Sequence, residues 1–189
     1  DNDAGDGGNS AEANQSRQGQ LKYLKRYFQD SNKDYRVRAH APTSMCKLLK
    51  DASPEEKQSV SKLLVEAIGK NSKERDVVQQ SCVLSLGIIG DTDKDKMDVE
   101  IREALKRISD DGDLQSKNFA MVALGQVGGR PGQGEGNEDG QKECRNFLLT
   151  SLTKGKNHTK PWAGIGVGVM ERALLDAGLT PSATAKETL

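Results

Sequence analysis

Residues 76–91 read DVVQQSCVLSLGIIGD, an apolar helix signal closed by Leu-Gly-x-x-Gly-Asp. The same signature recurs at three other places in the chain, and this recurrence constrains the fold more than any other feature. Residues 36–51 lie on residues 76–91 at an offset of 40: Val37 meets Val77, Cys46 meets Leu86, Leu49 meets Ile89 and Asp51 meets Asp91. An offset of 38 brings Leu86-Gly87 onto Leu124-Gly125 and Gly90 onto Gly128. A further offset of 43 brings Phe119 onto Trp162, Leu124-Gly125 onto Val167-Gly168 and Val127 onto Met170. A second helical pattern follows each of the first three copies, at residues 54–68, 99–108 and 141–152. One helix pair cannot bury its own apolar face, so units of this length must stack on one another.

Composition agrees with packed helices. Aromatic residues make up only 4% of the chain, so aliphatic and small side chains must build the core, whereas strands favour aromatic and β-branched residues. Residues 1–20 are polar and Gly-, Asn- and Ser-rich, which predicts a disordered leader. Residues 21–29 predict a first helix with Leu21, Leu24 and Phe28 on one face. Pro42 predicts a break near Ala41. Ser53, Pro54 and Glu56 form a helix-start signature with a capping box. The Gly-rich stretch 128–140 predicts a flexible insertion, and residues 181–189 a tail with a short helix.

The endings SLGIIGD and FAMVALGQVGG resemble HEAT repeats, in particular the short bacterial type related to phycobilisome-lyase repeats. The resemblance covers residues 35–178. It is weaker in the first copy, where Lys47 replaces the glycine, and the fourth copy closes on Glu171-Arg172 in place of Gly-Asp. It implies an all-α fold, an α-α superhelix or armadillo-type α-solenoid of about four helical hairpins spanning residues 21–180. In such a stack the small residues let helices approach closely, and the closing glycine is expected to adopt a left-handed cap.

The function class that follows is protein binding, with another protein as partner, no cofactor and no catalytic or metal-binding group. The resemblance implies that the second helices line the concave side. Their outward polar positions, Lys62, Glu66, Arg102, Lys106 and Arg145, are the candidate contact surface. A second reading is an enzyme-accessory or lyase-like role, which the resemblance brings with it. A third is nucleic-acid binding through residues 21–50, whose eight basic and two acidic residues give a net charge of +6. The neutral net charge of the whole chain, 28 basic against 28 acidic residues, disfavours that third partner.

Other motifs yield to structural explanations. Asp91, Asp93 and Asp95 begin like a calcium loop, but Lys96 stands where glycine is needed and Arg102 where glutamate is, so a solvated turn is expected. Gly164, Gly166 and Gly168 lie inside an apolar helix and predict close packing rather than a dinucleotide loop. Cys46 and Cys82 fall on core positions, Cys144 on a second helix; His40 and His158 are isolated. No stretch is long and apolar enough to span a bilayer. The leader suits an exported bacterial protein and the unpaired cysteines suit the cytoplasm, which leaves localisation open.

Overall fold

The computed structural model describes residues 16–49, 52–134 and 136–188, and among them it is all-helical. Ten helices follow in order among these residues: α1 (Arg17–Gln29), α2 (Tyr35–Arg38), α3 (Ala41–Leu48), α4 (Pro54–Ala67), α5 (Asp76–Ile89), α6 (Lys96–Asp111), α7 (Leu114–Gly128), α8 (Asn137–Lys154), α9 (Lys160–Asp176) and α10 (Ala183–Thr188). The leader expected over residues 1–20 lies outside the described residues up to residue 15. Its last residues are helical: Ser16 caps a helix that starts at Arg17, accepting a bond from the Gly19 amide at 3.0 Å.

Local chemistry sets most helix ends. Pro42 has no amide hydrogen to continue a helix from α2, so the chain breaks at Ala39–His40 and restarts with Pro42 in the first turn of α3. Ser53 and Glu56 form the expected capping box at α4. Asp95 caps α6 through the Asp98 amide, and Asp113 caps α7 through the amides of Gln115 and Ser116. Each such cap contributes about 1 kcal/mol.

Helices α3, α5, α7 and α9 form a row of consecutive neighbours, with α1 against α3 at one end. Helix α4 packs on α5 and α6, α6 on α7, and α8 on both α7 and α9. One continuous apolar core runs through them, from Phe28 and Met45 through Leu64, Leu86, Ile101 and Leu124 to Leu148, Met170 and Leu174. Burying such side chains contributes about 1.5–3 kcal/mol each.

Glycines bring the row together. A Cβ on Gly87 would lie 2.9 Å from the Ala123 Cα of α7, and one on Gly125 would run into the Gly166 carbonyl oxygen of α9. One on Gly166 would lie 2.5 Å from the Met121 carbonyl oxygen. The close-packing expectation therefore holds for Gly166 and for the repeat glycines Gly87 and Gly125, but not for Gly168, where an added Cβ would meet no described atom within 4 Å. The left-handed cap is absent at Gly90, which closes α5 with φ −75° and ψ 154°, but it is present after α9, where Gly178 has φ 78° and the Leu179 amide donates back to the Leu174 carbonyl at 2.9 Å.

The stretch 128–140 differs from its expectation. Gly128 is still helical in α7, and α8 begins at Asn137. Between them the backbone lies on the α5–α6 turn: the Gly132 amide donates to Thr92 Oγ1 at 3.2 Å and the Gly134 amide to Asp93 Oδ1 at 2.9 Å. Arg130 donates to the carbonyls of Gly87 and Gly90. At the far end, Glu171 accepts from the Ser182 amide at 2.9 Å and holds the start of the tail, whose Ala185 is buried in α10.

Candidate functional site

The five outward polar positions separate in the structure. Lys62 and Glu66 are exposed on α4. Lys62 lines a groove of about 400 Å³ between α4 and α6, with Glu55, Gln58 and Ser59 from α4 and Lys96, Met97 and Glu100 from α6. Helical spacing puts these α4 residues on one side, since residues three and four apart neighbour each other.

Arg102 is not a surface residue. Its side chain is 3% exposed. It donates to Glu143 Oε2 at 2.9 Å and to the carbonyls of Asp91 and Asp93 at 3.0 and 2.9 Å. The repeat pattern marks its position on α6 as outward, but the α5–α6 turn and α8 close over it. Lys106 shares Glu143, and Arg145 pairs with the largely buried Glu171 at 2.6 Å. Burial pushes the Glu143 carboxyl up, but the hydrogen bonds from Lys106 and Arg102 outweigh it and hold it below the usual carboxylate range. These three cations join α6 to α8 and α8 to α9.

Glu66 faces a different opening, a cleft of about 710 Å³ between the turn after α1 and the turn before α5. Tyr35 stands in it with the guanidinium of Arg36 5.3 Å and that of Arg75 5.8 Å from its ring centre. Arg38 forms its back wall, buried, donating to the Phe28 carbonyl at 2.7 Å and to Glu74 at 2.6 Å. Lys33, Lys73, Asp34 and Glu66 add both signs of charge at the rim. The sequence gives no local sign of this cleft, because its walls come from three separate segments. The basic segment 21–50 also spends part of its charge within the chain: Arg38 on Glu74, and Lys25 on the Ser59 hydroxyl at 2.6 Å.

The acidic turn is not the solvated loop its composition suggests. Thr92 and Asp98 are each 1% exposed. Asp98 accepts from the Asp91 amide at 2.8 Å, Asp91 from the Asp93 amide at 2.9 Å, and Asp95 from the Asp98 amide at 3.0 Å. The carbonyls of Asp91 and Asp93 accept from Arg102. Among the described residues no group of three or more His, Cys, Asp or Glu is arranged to hold a metal ion. Burial, with Asp91 and Asp95 nearby, pushes the Asp98 carboxyl up to about 8.

All three cysteines are free and buried. Burial pushes the thiols of Cys46 and Cys144 up to about 12 and raises that of Cys82 as well. A thiol must ionise to act as a nucleophile, so these three behave as core residues, Cys144 included. His40 and His158 are exposed and far apart in sequence. Among the described residues no helix is long and apolar enough to cross a membrane.

The chain matches no protein-family model, no curated protein and no solved structure.

Proposed function

We propose that this chain is a binding module, a HEAT-like α-solenoid whose second-helix side holds a segment of another protein and which carries no chemistry of its own. The observation that supports this best is the α4–α6 groove. Its walls hold two lysines, Lys62 and Lys96, and two glutamates, Glu55 and Glu100, above the side chain of Met97. Charges of both signs give register and specificity to a bound polypeptide more than raw affinity, and methionine adapts to varied apolar side chains. The row of helices supports the same reading, since units that pack only on their neighbours leave long open sides for recognition. Within the five outward positions, Lys62 carries the proposal; Glu66 lines the separate cleft beside Tyr35. Lys106 and Arg145 serve chiefly to join helices, and Arg102 is withdrawn from it. Neither the accessory-enzyme reading nor the nucleic-acid reading has a specific observation in its favour.

The test is affinity capture with the immobilised chain from an extract of its source cells, comparing the native chain with a Lys62→Glu/Lys96→Glu double variant. A Lys156→Glu variant, on the exposed turn between α8 and α9, is the control. A partner retained by the native chain and the control, and lost about tenfold or more by the double variant, is the expected result. Equal recovery by all three removes the groove from the interface.

A further inference from the structure

Arg38 is a buried cation whose donors are only partly used. It is 5% exposed and lines the cleft beside Tyr35. Its Nε donates to the Phe28 carbonyl at 2.7 Å and its Nη2 to Glu74 Oε1 at 2.6 Å. A guanidinium carries five N–H donors, and Nη1 has no partner among the described residues. Nor is Nη1 one of the partnerless polar atoms shut off from solvent, so it opens toward the cleft that Arg38 lines. Donors left unmet on a buried charge are costly until something in the cleft completes them.

The rim adds cations that nothing in the chain neutralises. Lys33 comes from the turn after α1, and Lys73 and Arg75 from the turn before α5. None of the three is in an ion pair among the described residues. The carboxylates of the cleft are mostly engaged. Glu74 is held by Arg38, and Asp34 turns an oxygen to the α2 amides of Arg36 and Val37. Glu66 is the one cleft carboxylate without a partner among the described residues. The walls come from within residues 28–38, 63–67 and 72–75, well inside the chain.

We propose that this cleft is a binding site for a single carboxylate group, taken by Arg38 Nη1 at the back and by Lys73 and Arg75 at the rim. Charge-assisted bonds from a cation to a carboxylate are the strong class of hydrogen bond, and arginine suits the planar group. A carboxylate fits better than phosphate. Asp34, Glu66 and Glu74 stand in the same cleft, and each repels a dianion about twice as strongly as a monoanion. An acidic side chain of a peptide, a peptide C-terminus and a small carboxylic acid all carry the group, and a cleft of about 710 Å³ admits each.

The test is a titration of the full chain followed through its backbone amide NMR signals. The carboxylate probes are propionate, a capped Ala-Glu-Leu peptide and acetyl-Ala-Leu with a free C-terminus. Capped Ala-Gln-Leu and inorganic phosphate are the comparisons. At least one carboxylate probe is expected to move the signals of residues 33–35 and 72–75 further than either comparison at equal concentration, and the probe that does so identifies the source. Replacing Arg38 would also break its pair with Glu74, so the variants are placed at the rim. Lys73→Gln/Arg75→Gln should raise the dissociation constant at least about tenfold. Glu66→Gln should lower it about twofold or more, because it removes the unpartnered like charge. A Lys156→Glu control should leave it unchanged. The proposal is overturned if no carboxylate probe moves those signals, if phosphate moves them as far, or if the double variant binds as the native chain does. The α4–α6 groove is a separate opening with its own capture assay, so these outcomes leave it untouched.

Discussion

Two glycines of the same repeat column make opposite predictions. Alanine in a helix is favoured over glycine by about 1 kcal/mol. At Gly168 the added methyl meets no atom of the described residues within 4 Å, so Gly168→Ala is expected to stabilise the chain by up to about 1 kcal/mol. At Gly125 the same methyl meets the Gly166 carbonyl oxygen, a backbone atom that moves only with its helix. Overpacking of that kind costs about 1–3 kcal/mol, so Gly125→Ala should lose stability despite its better propensity. Urea unfolding of the two variants measures both signs. The column itself was readable in the sequence because Leu-Gly recurs at helical register. The work these glycines do was readable only in part: close approach follows from small size, but that a Cβ at Gly90 would crowd Ile101 and Val127 depends on two remote residues.

Asp98 gives a pH-dependent prediction. Burial raises its carboxyl from 3.8 to about 8, and the groups around it are Asp91, Asp95 and Arg130. The folded state thus holds a proton that the unfolded state releases, so this residue's stabilisation is full below its ordinary value. It declines as pH rises from about 4 to about 8. Asp98→Asn keeps an oxygen to accept from the Asp91 amide but cannot ionise. The stability difference, variant minus native, should therefore grow as pH rises through that window, as followed by urea unfolding at several pH values. A difference that is flat with pH refutes the buried, protonated carboxyl. Nothing local in the sequence marks Asp98, because an aspartate three residues into a helix after an aspartate cap reads as an ordinary first-turn acid.

At the level of elements, helices and breaks were legible where the cause is local. Pro42 removes one amide, and Ser53 with Glu56 satisfies two backbone donors; both act within a turn of themselves. The stretch after α7 was not legible, because its glycines dock on a turn about 40 residues earlier. Composition reports what a segment does alone and not what a distant turn offers it. Arg130 is the anchor of this docking, through the Gly87 and Gly90 carbonyls, while Thr92 accepts from Gly132. Arg130→Ala should detach the segment and leave the helices standing. Hydrogen exchange at the Gly132 and Gly134 amides is expected to speed up by about tenfold or more, with little change inside α5 and α7. Unchanged exchange at those two amides would mean that the docking does not depend on Arg130.

For the whole molecule, the question is how far a local loss spreads. Helix α9 draws its packing from α7 and α8, whereas α5 packs against α2, α3, α4 and α7. Leu174 of α9 and Leu86 of α5 are both fully buried, so replacing either by alanine costs about 2–5 kcal/mol in lost transfer and cavity terms. Stability in a stack is a sum of unit and neighbour terms, so the same cost should be felt differently at an end and in the middle. With Leu174→Ala, α9 and α10 are expected to open in a local step, their amides exchanging quickly while those of α3 to α6 keep native protection. With Leu86→Ala there is no end to shed, because α5 joins the two halves of the row, and protection should fall across α3 to α7 together. Hydrogen exchange resolved by helix, on both variants at the same pH and temperature, distinguishes these patterns. A uniform loss in the Leu174→Ala chain would mean that the core running from Phe28 to Leu174 behaves as one cooperative unit, and that the repeats seen in the sequence are a pattern of packing without independence in energy.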